Sequence, residues 1–298
     1  MRTLFCLFLC CCFSVLSAQM ISFEFQKEPV GSTNTAQLKL KLSREYTFMI
    51  PGAGKPIGKL ETMEVVLLTE IQVELINRKG FPVTLILRPK ILGGTLNGRR
   101  IDPASLQGRV IRAELESYPC TFTSTDGKEL SGEAKMVLAA FFRQQQGFSY
   151  ADILGKSRNY KQGGKWLPDS SPILQTLAKR NISLKKRNLT ASAMFENKFK
   201  VNGIECTAVV LNLLSVGTHA YDFRIRTRIV LPVDRKNGNV FHLTREGVEV
   251  VDRKLLSGDF AAAGSAVRIT TKEQMEVTYV PRKKQAPGKK TGHFMDIF

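Results

Sequence analysis

Leucine and lysine alternate without a break from residue 38 to residue 42, with Leu38, Leu40 and Leu42 set against Lys39 and Lys41. Successive side chains of an extended chain point to opposite faces, so a period of two specifies a strand with one buried and one wetted face. The pattern recurs along the chain. Ile21, Phe23 and Phe25 alternate with polar residues, and the run Arg109 to Leu115 alternates through Val110, Ile111 and Ala113. Tyr221, Phe223 and Ile225 alternate with Arg224, Arg226 and Arg228. A chain patterned this way is committed mainly to sheet.

Residues 60–77 carry two signals. Glu61, Glu64, Glu70 and Glu74 suit a helix, whereas Val65, Leu67, Ile71, Val73 and Leu75 favour strand. The β-branched content decides for strand. The next strand covers 81–87, with Pro82 at its start, where a missing N–H does least harm. Residues 49–59 read as a Gly/Pro-rich loop, and Gly93-Gly94, Asn97-Gly98 and Asp126-Gly127 as tight turns. Asn202-Gly203, between 193–201 and 204–214, is the strongest hairpin signal, because both residues accept positive φ. Further strands at 221–230, 240–243, 248–251 and 267–280 complete an antiparallel meander.

One helix stands out. Ser131 is placed to cap it, Glu133 suits its first turn, and Met136, Val137, Ala140 and Phe141 form a stripe widened by Leu138 and Phe142. So apolar a helix belongs against a sheet. A shorter helix is predicted over 172–179, with Ser170 or Ser171 as cap. Between the helices lies a polar stretch with Gly163-Gly164, Pro168 and the single tryptophan, Trp166. The sequence therefore predicts an α+β fold, predominantly antiparallel β-sheet in two β-rich halves, with one buried central helix. The N-terminal half spans 19–149, a linker 150–171, the C-terminal half 172–280, and a basic disordered tail 281–298.

Residues 1–18 read as a secretory signal peptide. Arg2 supplies the charge, residues 4–16 are apolar except for Ser14, and cleavage falls near Ser17 or Ala18. This predicts a secreted or periplasmic protein. Cys6, Cys10, Cys11 and Cys12 lie within that segment, leaving Cys120 and Cys206 in the mature chain. In an oxidising compartment these two either pair or sit apart as small hydrophobes, and the sequence leaves both open.

The formal net charge is +18. Such a surface attracts anions. Aromatic residues are sparse and not interleaved with the basic ones, so a stacking platform for nucleic acid is not expected. The expected partner is an anionic envelope component or a lipid, with peripheral membrane contact. The candidate anion contacts are Lys39, Lys41, Arg224, Arg226 and Arg228 on strand faces, and Arg282, Lys283 and Lys284 in the tail. The plainer reading of the same charge is solubility.

Motifs for chemistry are absent. Gly54 and Gly58-Lys59 are spaced one residue short of a phosphate-binding loop, and Leu60 stands where a hydroxyl would bind Mg²⁺. His219 and His242 lie in or beside neighbouring strands, but a third metal ligand, Glu246 or Asp222, follows no known spacing, and His293 is in the tail. There is no Gly-x-Ser-x-Gly elbow and no His-Glu-x-x-His. No catalytic residue, metal or cofactor is assigned. The order helix, Gly163-Gly164-Lys165-Trp166, second strand block, with Leu106-Gln107-Gly108 before Arg109-Val110-Ile111, resembles exported bacterial proteins with two β-rich halves. That resemblance transfers no site residue.

The functional expectation is a non-catalytic exported protein of the cell envelope that binds an anionic surface or partner through its basic strand faces. Two alternatives carry their own marks. A periplasmic lipid or lipoprotein carrier requires an apolar cavity between the sheet and the helix at 136–142. A secreted hydrolase requires His219 or His242 beside a carboxylate and a nucleophile.

Overall fold

A computed structural model of the protein describes residues 20–22, 30–49, 55–78, 82–116, 120–142, 150–179, 184–216, 221–233, 242–254 and 266–280. Residues 1–18, read from sequence as a signal peptide, and 281–298, read as a basic tail, lie outside these residues. The strands are β1 (Met20–Ser22), β2 (Thr33–Met49), β3 (Ile57–Ile76), β4 (Pro82–Leu96), β5 (Arg99–Arg100), β6 (Ile111–Glu114) and β7 (Thr121–Ser124). They continue as β8 (Ser157–Asn159), β9 (Lys165–Trp166), β10 (Leu189–Phe195), β11 (Phe199–Val201), β12 (Ile204–Ser215), β13 (Tyr221–Pro232), β14 (His242–Lys254) and β15 (Ala266–Val280). The helices are α1 (Gly132–Phe141), α2 (Tyr150–Leu154) and α3 (Ser171–Lys179).

A 13-stranded antiparallel sheet dominates, in the order β7-β6-β4-β3-β2-β15-β14-β13-β12-β10-β9, with β5 on β4 and β11 on β12. β1 pairs separately with β8. β15 lies against β2, from Thr35 opposite Val280 to Met49 opposite Ala266. That pairing joins the strands of the two halves into one sheet.

The period-two pattern decides which face is buried. Met63, Val65, Leu67, Thr69, Ile71 and Val73 of β3 are buried, while the residues between them are half-buried or exposed. Leu38 and Leu40 of β2, Met275 and Val277 of β15 and Leu243 of β14 continue this inner face. The helix α1 packs into the same core. The Ser131 hydroxyl accepts the Ala134 N–H at 3.1 Å, as an N-cap should. Ala134, Val137, Leu138 and Phe141 are buried. The predicted stripe needs one correction: Met136 is 49% exposed and belongs to a second helix face. No helix among the described residues is long and apolar enough to cross a membrane.

Several local expectations change: 240–243 and 248–251 fall in one strand, β14, and 193–201 is split between β10 and β11. Ile57, Gly58 and Lys59 are not loop: they open β3, opposite Phe48, Thr47 and Tyr46. Gly93-Gly94 is not a turn but lies inside β4, opposite Val66 and Val65. The stretch read as a linker contains α2, β8 and β9. There the Trp166 ring packs 4.9 Å from Phe195, and Tyr160 lies 5.5 Å from the same ring, which fixes the edge of the sheet. The Asn-Gly signals hold. Asn97 and Gly98 (φ 50° and 76°) join β4 to β5, and Asn202 and Gly203 (φ 49° and 81°) join β11 to β12.

Candidate functional site

A cavity of about 430 Å³ lies between α1 and the inner face of the sheet. This falls within the roughly 300–1,000 Å³ typical of small-molecule sites. Its helix wall is Met136, Ala139, Ala140 and Phe142, and its sheet wall begins with Leu40, Leu42 and Met63. The helix thus has two apolar faces, one sunk in the core and one turned to the cavity, where an amphipathic helix would place polar residues.

Polarity rises in rows along the strands. Leu40 shares a row with Met275 and Arg245. One step on, Leu42 is opposite Glu273, and Glu273 is opposite Gly247. The next row holds Glu61, Arg44, Thr271 and Glu249. Because the step is two residues, all of these point to the inner face. The cavity is therefore apolar at one end and charged at the other, with Arg44, Glu61, Glu249 and Glu273 among its lining residues.

The charges are organised. Arg245, 13% exposed, places Nη2 3.4 Å from the Glu249 carboxylate and Nε 3.8 Å from that of Glu273, itself 7% exposed. Gly247, between Arg245 and Glu249 on the same face, offers no side chain to obstruct this span. Burial works against the charged guanidinium, but Glu273 and then Glu249 outweigh it and raise its pKa. One row further along the strands, Lys59 Nζ donates to Glu61 at 2.8 Å and the Tyr46 hydroxyl donates to Glu61 at 2.9 Å. The Lys59 hydrogen bond leads in holding the Glu61 carboxyl below its ordinary range, against the effect of burial.

Arg44, Arg245, Glu249 and Glu273 carry no role in the sequence reading, and Glu61 enters it only as a helix signal. A signal was present for Arg44, Glu61 and Glu273, each a charge at the parity that elsewhere in its strand carries apolar residues. Glu273, for example, continues the series Val267, Ile269, Thr271 towards Met275 and Val277.

The predicted anion contacts on the strands lie on the opposite face. Lys39 pairs with Glu276 at 3.2 Å, Lys41 stands 4.0 Å from Glu64, and Arg228 meets Glu196 at 2.8 Å. Arg224 and Arg226 are exposed. Arg282, Lys283 and Lys284 lie outside the described residues. Cys120 packs beside the main core and borders the cavity, whereas Cys206 sits with Ala208 and Val230 in a separate small cluster; no disulfide joins them.

His219 lies outside the described residues. His242 Nδ1 is 3.0 Å from the Thr278 hydroxyl and 4.0 Å from the Glu276 carboxylate. Both contacts fall on one ring nitrogen, whereas a base that activates a nucleophile uses both. Burial holds the His242 imidazole below its ordinary pKa of 6.5; Glu276 opposes this, and Arg228 and Lys39 reinforce it. A group that takes its proton less readily when folded contributes stability that is complete above its unfolded pKa and is lost as pH falls towards the folded one. Stability is therefore expected to decline below pH 6.5, and His242→Asn to flatten that part of the profile, read by urea unfolding at a series of pH values.

No protein-family model matches the sequence, and no curated protein matches it. Among solved structures, lipovitellin, in work on its lipid–protein interactions, aligns with 92% of this chain at 9% identity and a TM-score of 0.32. The chain spans 28% of that molecule's length. A DUF1329-family protein from Desulfovibrio piger aligns with 80% of the chain and 84% of its own, at 9% identity and a TM-score of 0.19. OccK11 from Pseudomonas aeruginosa aligns with 86% of the chain and 99% of its own, at 6% identity and a TM-score of 0.19. Scores this low lend no weight to any choice of function.

Proposed function

We propose that the protein binds an amphiphile, with the apolar chain in the cavity between α1 and the sheet and the polar head at its charged end. The observation that supports this reading is the graded lining. Register puts Leu40 and Met63 towards one end and Arg44, Glu61 and Glu249 at the other, around a space of about 430 Å³. An apolar chain leaving water for such a lining gains about 0.8 kcal/mol per buried methylene. A head group that keeps hydrogen bonds avoids the cost of burying an unpaired polar group. This is the carrier alternative, with export to the cell envelope as its setting.

The test is a titration with a dansyl-labelled fatty acid. Wild type is expected to show saturable fluorescence enhancement. Ala139→Trp fills the mouth from an exposed helix position and should weaken binding about tenfold or more, a loss of about 1.4 kcal/mol. Equal binding by a folded Ala139→Trp protein, or none by wild type, would sink the proposal.

A further inference from the structure

The outer face of the sheet carries a second recess, of about 740 Å³. Register sets Arg224 beside Val248 and Lys272 in one row, and Arg226 beside Glu246, Gln274 and Lys41 in the next. Strands lie about 4.8 Å apart and alternate residues about 7 Å apart, so the backbone positions of the four cations stand roughly 7–16 Å from one another. Arg224, Arg226 and Lys272 are exposed. Lys41 is 68% exposed, and the nearest acid, Glu64, is equally exposed and 4.0 Å away. On this face Glu246 is the one carboxylate lining the groove; Glu273, which also borders it, is engaged with Arg245 on the inner face.

The surrounding basic residues differ. Lys39 is matched to Glu276, Arg228 to Glu196 and Arg268 to Asp252. Positive potential is thereby left concentrated in the groove. The lining is also informative. It includes no aromatic ring, so it lacks the stacking surface that single-stranded nucleic acid uses. Its apolar lining residues are Val248, 39% exposed, and the half-buried Leu213, Leu214 and Ile225. The amides of Asn212 and Gln274 add donors and acceptors between the cations. A flat bilayer meets the rim of a recess, whereas a narrow chain reaches its floor.

We propose that this groove binds a linear acidic polysaccharide laid across strands β12 to β2. Its carboxylates meet Arg224, Arg226, Lys272 and Lys41, its hydroxyls meet Asn212 and Gln274, and the C–H faces of its sugar rings rest on Leu214 and Val248. The site is separate from the inner cavity, and its ligand is independent of the amphiphile proposed there.

The test is calorimetric titration of the full-length protein with polygalacturonate oligomers at two salt concentrations. Wild type is expected to bind, and more weakly at high salt. Arg224→Ser/Arg226→Ser is expected to bind about tenfold more weakly. The control Arg99→Ser/Arg100→Ser removes the same charge from exposed β5 and should bind within about twofold of wild type. Should the arginine pair impair folding, Lys41→Gln/Lys272→Gln replaces it, with the same loss expected. Equal losses in test and control would reduce the effect to net charge and overturn the proposal. So would no binding by wild type, or arginine-dependent binding to phosphatidylglycerol vesicles without binding to the oligomers.

Discussion

Replacing Arg245 with methionine is expected to lower the unfolding free energy by about 3 kcal/mol or more, measured by urea denaturation at neutral pH. The guanidinium is the cation shared by Glu249 and Glu273 on the inner face, and Glu273 is only 7% exposed. Removing it takes away the cation that both carboxylates face, in a place that hydrates poorly, which costs more than the ion pair itself contributes. A compensating variant separates this cause from lost packing. Arg245→Met combined with Glu273→Gln should recover most of the loss, because the buried negative charge has gone. If the double variant is no more stable than the single one, the guanidinium acts by packing alone and the electrostatic account of the inner face is wrong.

Gly94→Ala should be nearly as damaging, by about 3 kcal/mol or more. Gly94 has φ of 140°, and a Cβ there would overlap the Glu64 carbonyl oxygen and stand 2.8 Å from the Val65 Cα. Both obstacles are backbone of the neighbouring strand β3, so neither can swing aside. Gly93 makes the control, for a Cβ added there meets nothing within 4 Å. Gly93→Ala is therefore expected to stay within about 1 kcal/mol of wild type. Thermal unfolding of both variants reads the contrast, and equal stability of the two would refute the close approach of β4 to β3.

The same pair of glycines shows how far sequence carries. Two adjacent glycines relax the backbone, which serves a turn and a close strand approach equally well, and no local pattern separates them. Asn97-Gly98 and Asn202-Gly203 were legible because positive φ at two successive positions has one common use, the two-residue hairpin. The strands were legible because burial on one face imposes a period of two on Leu38, Leu40 and Leu42. The helix α1 was legible from its cap and its stripe. The pairing of β15 with β2 was not, since register between residues more than 200 apart leaves no local trace, although alternation on both strands permits it. The cavity was anticipated only as what a carrier would need. Its charged end was hidden because Arg44, Glu61, Glu249 and Glu273 come from four strands that only the assembled sheet brings together. The outer groove was half visible: Arg224 and Arg226 were marked from alternation. Lys39 and Arg228 were marked too, but they face Glu276 and Glu196 across neighbouring elements.

Native mass spectrometry of the full-length protein, purified from its own cells without detergent, tests amphiphile binding most directly. The account predicts a bound species with the mass of an amphiphile, lost on unfolding and missing from Ala139→Trp. A wild-type protein that shows only its polypeptide mass, and takes up no added fatty acid, would contradict it.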